Sequence, residues 1–207
     1  MSVKDDAINT PPSGQTTIGD QIIPVDIAGE NYIVPEVQNP NHVYILATED
    51  NTNIEVFIAD GTNILSTVLN EGEQIMVQVP NGAKFARITS RVNAGDPVKP
   101  IYVWQLVGTG NQNRGGALVP PIGCTGNTQM AFTRAREGEN GFYFYVITEK
   151  QNIDKFLVDG EKRDDLIPPV IDNRGFTELA GSGGWVAQFT SSINANVLAE
   201  GQHLIEN

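Results

Sequence analysis

The residues of this sequence that offer metal chemistry lie in one acidic turn. Glu49, Asp50, Asn51 and Asn53 carry oxygen-bearing side chains within a stretch of five positions, and calcium takes about six to eight oxygen ligands. The calcium-loop order Asp-x-Asp-x-Asp-Gly is missing, and Lys150 occupies the matching position of a second, similar turn. Calcium is therefore the one cofactor worth testing. We favour the alternative that Asn and Asp side chains satisfy the turn's own backbone.

Aromatic side chains are the other candidates for binding a ligand. If residues 101–105 form a strand, Tyr102 and Trp104 share one of its faces, and Trp185 begins another apolar run. Flat rings on an exposed sheet face can stack on sugars, so these three residues are candidate ligand-binding residues. The alternative, which we favour, is that the rings pack in a core with their polar tips at its rim.

Residue types needed for catalysis are sparse. The two histidines, His42 and His203, give little basis for a Ser-His-Asp triad, and neither a Gly-x-Ser-x-Gly elbow nor a phosphate-binding loop is present. The single cysteine, Cys124, cannot form an intrachain disulfide, and we interpret it as a small packing residue. Acidic pairs such as Asp164 and Asp165 are expected in so acidic a chain. We predict no catalytic site and no resident metal other than the calcium already considered.

Composition excludes several classes of partner. The 207 residues include 13 Lys and Arg against 25 Asp and Glu, a net charge of −12. Nucleic acids and anionic membranes carry the same sign and are repelled. The chain has no apolar run of the roughly 20 residues that span a bilayer. A hydrophobic content of 40% is enough for a folded core.

The elements that position these side chains are strands. Apolar runs are short, rich in β-branched and aromatic residues, and closed by Gly, Pro or Asn, and the pairs Asp60-Gly61 and Asn81-Gly82 are hairpin signals. The chain is therefore predicted to be all-β. The clearest predicted strands are residues 43–48, 54–59, 64–69, 74–79, 85–91 and 101–107.

The strands are organised as an internal repeat. HVYILATE at 42–49 matches FYFYVITE at 142–149, NIEVFIADG at 53–61 matches NIDKFLVDG at 152–160, and ITSRVNA at 88–94 matches FTSSINA at 189–195. Three blocks in the same order, about a hundred residues apart, predict a duplicated β unit. The fold class is thus all-β, with two tandem homologous β-sandwich-like units packed against each other.

Composition along the chain sets the predicted domain boundaries. Residues 1–17 form a flexible polar lead-in, 18–108 the first β unit, 109–126 a Gly/Pro-rich inter-unit segment, and 127–207 the second β unit. The apolar Pro-Pro stretch within 109–126 is expected to pack between the units. The start of the chain lacks the apolar core of a signal peptide, so we expect either a cytoplasmic protein or a piece of a longer exported protein, and the polar lead-in favours the piece.

Several short motifs resemble a known family. QIIPVD at 21–26, GENYIV at 29–34, ATEDNTNI at 47–54, KPIYVWQ at 99–105 and GALVPP at 116–121 are similar to the N-terminal domain of IgGFc-binding proteins. The resemblance covers roughly residues 18–200. It implies a β-rich extracellular module of large, multidomain adhesin-like proteins of gliding and related Bacteroidetes-type bacteria. It supplies no binding residues that can be transferred position by position.

The predicted function is a non-enzymatic structural and adhesive module of a large extracellular bacterial surface protein. Its expected partners are neighbouring domains of that protein and a glycoprotein or polysaccharide of the host or environment, with no nucleic acid and no membrane insertion. A glycan- or glycoprotein-binding module with an exposed aromatic or polar groove is the main alternative. A phage or virion fibre component is the lesser one.

Overall fold

The all-β prediction is confirmed. The computed structural model describes residues 2–3, 18–19, 24–36, 41–91, 93, 95–107, 115–123, 126–134, 144–162, 171, 175–189 and 198–207. These residues form antiparallel strands and two short 3-10 helices, Val25–Ile27 and Lys150–Asn152. Cys124, the pair Asp164 and Asp165, and most of the predicted lead-in lie outside the described residues.

The chain divides into two compact units, Met1–Thr125 and Gly126–Asn207. The strands of the first unit are β1 (Ser2–Val3), β2 (Ile18–Gly19), β3 (Asn31–Pro35), β4 (Asn41–Ala47), β5 (Thr52–Ile58), β6 (Asn63–Leu69), β7 (Gln74–Val79), β8 (Phe85–Thr89), β9 (Ile101–Val107) and β10 (Gly115–Leu118). Those of the second are β11 (Gln129–Arg134), β12 (Tyr145–Glu149), β13 (Leu157–Val158), β14 (Glu161–Lys162), β15 (Thr177–Glu178), β16 (Trp185–Phe189) and β17 (Gly201–Glu206). All six strands named from sequence are present, with ends shifted by at most two residues.

The first unit is a sandwich of two four-stranded sheets. Their strand orders are β10-β9-β4-β7 and β3-β8-β5-β6, and β1 pairs with β2 separately. One hydrophobic cluster takes side chains from both large sheets, so the two sheets pack face to face. Its buried members are Tyr32, Val34, Val43, Ile45, Ala47, Ile54, Val56, Leu69, Val77, Val79, Ala83, Ala86, Ile88, Ile101 and Val103.

The central strands β4 and β9 are buried on both of their faces. Val43 and Ile45 point into the sandwich, whereas Tyr44 and its cross-strand partner Trp104 lie on the opposite face and are buried as well. Strands covered on both sides have nearly continuous apolar sequences. The run 43–47 has this character, which explains why its alternation is weak.

The β5–β6 hairpin shows how its turn sequence determines its shape. The amide of Gly61 donates to the carbonyl of Ile58, and Gly61 adopts a φ of 90°. The carboxylate of Asp60 accepts the amide of Thr62 at 2.8 Å. A left-handed glycine after a tight turn closes a three-residue hairpin loop. The Asp60-Gly61 signal is therefore confirmed as a hairpin.

The segment 109–126 contains a strand. Residues 115–118 form β10, which pairs with β9, and the amide of Val119 donates to the carbonyl of Val103 at 2.8 Å. The amide of Ile122 donates to the carbonyl of Asn31, also at 2.8 Å. Because these backbone groups bond to β9 and β3, residues 115–122 belong to the first unit, whereas Gly126 belongs to the second. The boundaries predicted from composition stay predictions.

The second unit also builds a core from two sheets, of orders β11-β17-β13-β14 and β12-β16-β15. Its buried cluster draws on β13, β17 and the residues between strands, with partly buried side chains of β11 and β12 packed against it. The buried members are Phe156, Val158, Ile171, Leu198 and Ile205.

The two units share part of their strand order. In the first unit β8 lies between β3 and β5, and β6 follows β5; in the second, β17 lies between β11 and β13, and β14 follows β13. The pair β12–β16 matches β4–β7 in the same scheme. This correspondence supports the predicted duplication, which remains a prediction.

The third repeat block has no such support. It aligns β8 with β16, but β8 lies between β3 and β5 whereas β16 lies between β12 and β15. By its neighbours, the counterpart of β8 is β17, which comes later in the chain. Residues 190–195 of the block lie outside the described residues. The equivalence of 88–94 and 189–195 therefore stays a prediction.

Candidate binding surfaces

Tyr102 and Trp104 do share one face of β9, as alternation predicts. They lie on the face of the sheet β10-β9-β4-β7 that is turned away from the sandwich core, where Trp104 is directly opposite Tyr44 on β4. We call Tyr44, Tyr102 and Trp104 the outer aromatic cluster. Their exposed fractions are 5%, 7% and 1%. The rings are therefore buried and do not offer a flat surface to solvent.

The outer aromatic cluster contains polar atoms whose hydrogen-bonding capacity is unused. Within the described part of the chain, Tyr44 Oη, Trp104 Nε1 and the nearby His42 Nδ1 are buried and have no hydrogen-bond partner. Burial raises the pKa of Tyr44 and lowers the pKa of His42. Each such atom costs about 1–3 kcal/mol when it is desolvated without a partner. Burying these unpartnered polar atoms therefore offsets part of the stability that the apolar contacts of this face provide.

Gly116 on β10 permits the close packing around Trp104. A Cβ atom at this position would lie 2.8 Å from Trp104 Nε1 and 3.0 Å from the carbonyl oxygen of Gln105. Both distances are too short for ordinary contact, so only glycine lets β10 approach β9 here. The pair Gly115-Gly116 is the sequence signal of this close approach, but composition alone does not distinguish it from a linker.

Trp185, the third aromatic candidate, lies in the second unit. It is partly buried at the start of β16, opposite Glu149. Ser182 Oγ accepts its amide at 3.1 Å, and its carbonyl accepts the amide of Leu179 at 3.1 Å. These backbone contacts identify Trp185 as the first residue of a strand after a glycine-containing turn.

The acidic turn predicted to be a calcium candidate already holds a cation. Lys99 Nζ donates to the carbonyl oxygens of Asp50 at 2.7 Å and Asn51 at 2.9 Å. Asp50 Oδ1 accepts the amide of Glu71 at 3.1 Å. Asn51 has a φ of 53°, a left-handed conformation that Asn tolerates better than most residues. Glu49 contributes its carbonyl, which accepts the hydroxyl of Thr52 at 2.7 Å, and Asn53 is an exposed residue of β5.

We expect calcium to leave the stability of the protein unchanged. The ammonium group of Lys99 occupies the carbonyls that a metal ion would need, so about 1 mM calcium should shift the melting temperature by less than about 1 °C. Lys99→Met, which keeps the apolar stem, should lower the free energy of unfolding by about 0.5–1.5 kcal/mol because two carbonyls lose their donor. Thermal melts of both proteins with calcium and with a chelator make the comparison. A calcium-dependent rise of several degrees in the wild type would contradict this interpretation of the turn.

In the second unit, His203 is held between two oxygen atoms. Its Nδ1 lies 2.7 Å from Asp159 Oδ2 and its Nε2 lies 2.8 Å from the carbonyl oxygen of Ala199. A carboxylate and a carbonyl only accept, so both contacts are hydrogen bonds when both ring nitrogens carry protons. Partial burial works against the charge of Asp159, but hydrogen bonds from His203 and from the amide of Leu204, with the charge of His203, lower its pKa.

The two units should respond to acid over different pH ranges. Burial lowers the pKa of His42 below its ordinary 6.5. As the pH falls, His42 is therefore protonated in the unfolded chain before it is protonated in the folded one, and the first unit loses stability below about pH 6.5. The pKa of Asp159 is lowered from 3.8, so its contribution to the second unit is present above that pH and is lost only below it. Hydrogen exchange, read separately for peptides of each unit between about pH 7.5 and pH 3, tests this order.

His42→Gln provides the variant for this test. It removes the titrating ring, so the stability of the first unit should become independent of pH between about 7 and 5. In the wild type, each unit by which the pKa of His42 is lowered corresponds to about 1.4 kcal/mol of stability lost on acidification. His203→Gln is the matched control and should leave the first unit's profile unchanged. An unchanged acid response of the first unit in His42→Gln would show that another group is responsible.

The described residues contain neither a cluster of metal ligands nor a helix suited to spanning a membrane. Among these residues no group of three or more His, Cys, Asp and Glu side chains is placed to hold a metal ion. The part of the chain that the structure describes contains no helix that meets the length and hydropathy needed to cross a membrane.

Comparison with known proteins gives one informative result. A family model described as IgGFc binding protein matches residues 6–205. No curated protein and no solved structure matches the chain.

Proposed function

Because the chain belongs to the family described as IgGFc binding protein, we propose that it is a non-enzymatic binding module with a structural and adhesive role in a large extracellular surface protein of bacteria. The observation that carries this proposal is the extent of the family match, which runs from residue 6 to residue 205 of 207. The match therefore includes residues of both compact units, and we take the two together as the proposed binding module.

The architecture is consistent with an exported scaffold. The core of the first unit joins two sheets through apolar contacts, and this core stabilises the unit without an internal disulfide, which a chain with one cysteine cannot form. The net charge of −12 favours solubility and discourages self-association. Such a module can stand between neighbouring domains of a longer protein and keep a binding surface away from the cell.

The proposed partner is a protein, with the Fc part of IgG the first to test because the family's name describes such binding. The burial of Tyr102 and Trp104 weighs against a sugar-stacking groove on their face, because buried rings offer no surface on which a sugar can stack. A glycoprotein remains a suitable ligand if its protein part is what is recognised.

Binding of the full chain to immobilised Fc, with F(ab′)2 fragments as the matched control, tests this proposal. We expect saturable binding to Fc that survives enzymatic removal of the Fc glycan. Binding lost on deglycosylation would favour the glycan-binding alternative. Failure to bind Fc, a panel of other surface glycoproteins or a glycan array would overturn the proposed function, and a stable trimer in light scattering would favour a fibre component.

A further inference from the structure

Each large sheet of the first unit ends in one edge strand for which the described residues provide none of the usual protection. β6 is the edge of one sheet and β7 the edge of the other. The sequences NILSTVL and QIMVQV contain neither a charged residue nor a proline. Val68 and Met76 are exposed by 54% and 40%. Natural edge strands are normally blocked by charges, prolines, bulges or a covering segment, because unpaired backbone groups recruit other strands.

The register identifies the backbone groups of β6 that face outward. The amide of Ile58 donates across the hairpin to the carbonyl of Thr62. Alternate residues of a strand direct their amides to the same side, so the even-numbered residues of β5 bond to β6. Their partners in β6 are Leu65, Thr67 and Leu69. The amides and carbonyls of Ser66 and Val68 therefore point away from the sheet.

The opposite edge of the same sheet, β3, is protected. β3 ends in Pro35, and the carbonyl of Asn31 accepts the amide of Ile122. Two side-chain amides, of Asn41 at 2.9 Å and Gln105 at 2.6 Å, donate to the carbonyl of Pro35. Among the described residues, β6 has no corresponding contacts on its outer side. A register shift between Val56 and Phe57 disturbs only the hairpin end of β6.

The charges around β6 select the kind of strand that fits. Residues 52–73 contain four carboxylates, Glu55, Asp60, Glu71 and Glu73, and no Lys or Arg. Glu55 is the cross-strand neighbour of Ser66. The guanidinium of Arg87, on the strand beyond β5, lies 4.4 Å from the centre of the Phe57 ring. A second copy of this edge would bring the same four negative charges, so self-pairing is disfavoured.

We propose that β6 is an acceptor edge that binds an extended segment of a partner protein by strand addition, and that Lys or Arg residues flank this segment. Backbone hydrogen bonds to Ser66 and Val68 would supply affinity. The flanking cations would supply selectivity, because they are attracted to the four carboxylates around β6. This inference rests on the proposed function, because it names the surface through which the module would hold a protein partner.

The test uses the full chain and two synthetic peptides. One is Lys-Lys-Thr-Val-Thr-Val-Thr-Lys-Lys and the other replaces every Lys with Glu. We expect the basic peptide to bind at least about tenfold more tightly than the acidic one, with an affinity that falls as salt is raised from about 50 to 500 mM. Binding is followed by fluorescence anisotropy, and bound β6 amides are identified by slowed hydrogen exchange.

Ser66→Pro is the decisive variant. It removes an outward amide on an edge strand, where proline is compatible with the fold. The affinity for the basic peptide should therefore fall by about tenfold or more. Ser66→Thr keeps the amide and should bind normally. The amide of Ala47 donates to the carbonyl of Glu73, so the odd-numbered residues of β7 bond to β4 and the amide of Met76 points outward. Met76→Pro removes this amide and is the matched control. Thermal melts show that each variant is folded.

Three results would overturn the inference: equal binding of both peptides, normal binding by Ser66→Pro, or loss of binding in Met76→Pro alone. Concentration-dependent dimers that disappear in Ser66→Pro would also overturn it, since the occupant would then be a second copy. The Fc experiment is run on the same variants. If the chain binds Fc but neither peptide, the proposal that β6 is an acceptor edge is wrong and the proposed function is unaffected.

Discussion

Replacing Trp104 with alanine is expected to lower the free energy of unfolding of the first unit by about 3–5 kcal/mol. The indole is 1% exposed and belongs to a cluster with Tyr44 and Leu106, against which Leu118 packs. Removing it leaves a cavity on the outer face of the sheet, and Tyr44 loses its cross-strand partner in the cluster. Chemical denaturation with tryptophan-independent detection by circular dichroism measures the change.

Met76→Ala is the matched control for this substitution. Met76 is the register partner of Tyr44 on β7 and is 40% exposed, so its truncation should cost less than about 1 kcal/mol. The comparison also separates the two roles considered for Trp104. An unchanged unfolding free energy together with a loss of Fc or glycan binding would identify the ring as a ligand contact and not as a packing residue.

Gly29→Ala is expected to destabilise the first unit by about 2–3 kcal/mol. A Cβ atom at this position would lie 2.4 Å from Pro121 Cβ, which cannot rotate away because the proline ring fixes it. Gly29 also forms a bridge to Ile101, and its amide donates to Tyr32 Oη at 2.9 Å. A shift that relieved the clash would therefore break contacts made by Ile101 and Tyr32.

A double-mutant cycle isolates this contact. Pro121→Gly removes the atom that the new methyl group meets, so Gly29→Ala should cost markedly less in that background. Gly126→Ala is a control, since a Cβ there has no neighbour within 4 Å and should change stability by less than about 0.5 kcal/mol. Equal effects of Gly29→Ala with and without Pro121 would show that the close approach does not limit this position.

The sequence predicted the strands well because their signals are local. Period-two alternation and the Asp60-Gly61 turn depend on neighbouring residues, and the strands and this hairpin are confirmed. Alternation also placed Tyr102 and Trp104 on one face of β9. It could not show that this face is covered, because cover depends on segments distant in the chain. The apolar run 43–47 of β4 was the one local sign of a strand buried on both sides.

Contacts between distant residues account for what the sequence did not predict. Lys99 reaches the carbonyls of Asp50 and Asn51 across 49 and 48 positions, and His203 meets Asp159 across 44. The Gly/Pro-rich composition of 109–126 suggested a linker. Gly116 is needed because a strand passes close to an indole ring, which composition cannot reveal.

The ladder between β9 and β10 has a consequence for how this protein can vary. Val107 is paired with Gly115, so the chain leaves and re-enters the sheet at adjacent points. The entropy of closing a loop rises only slowly with its length, by about 0.6 kcal/mol for each doubling. Evolution, or an engineer grafting an epitope, can therefore lengthen the connection between these two residues at little cost while the anchoring pair holds both ends in register.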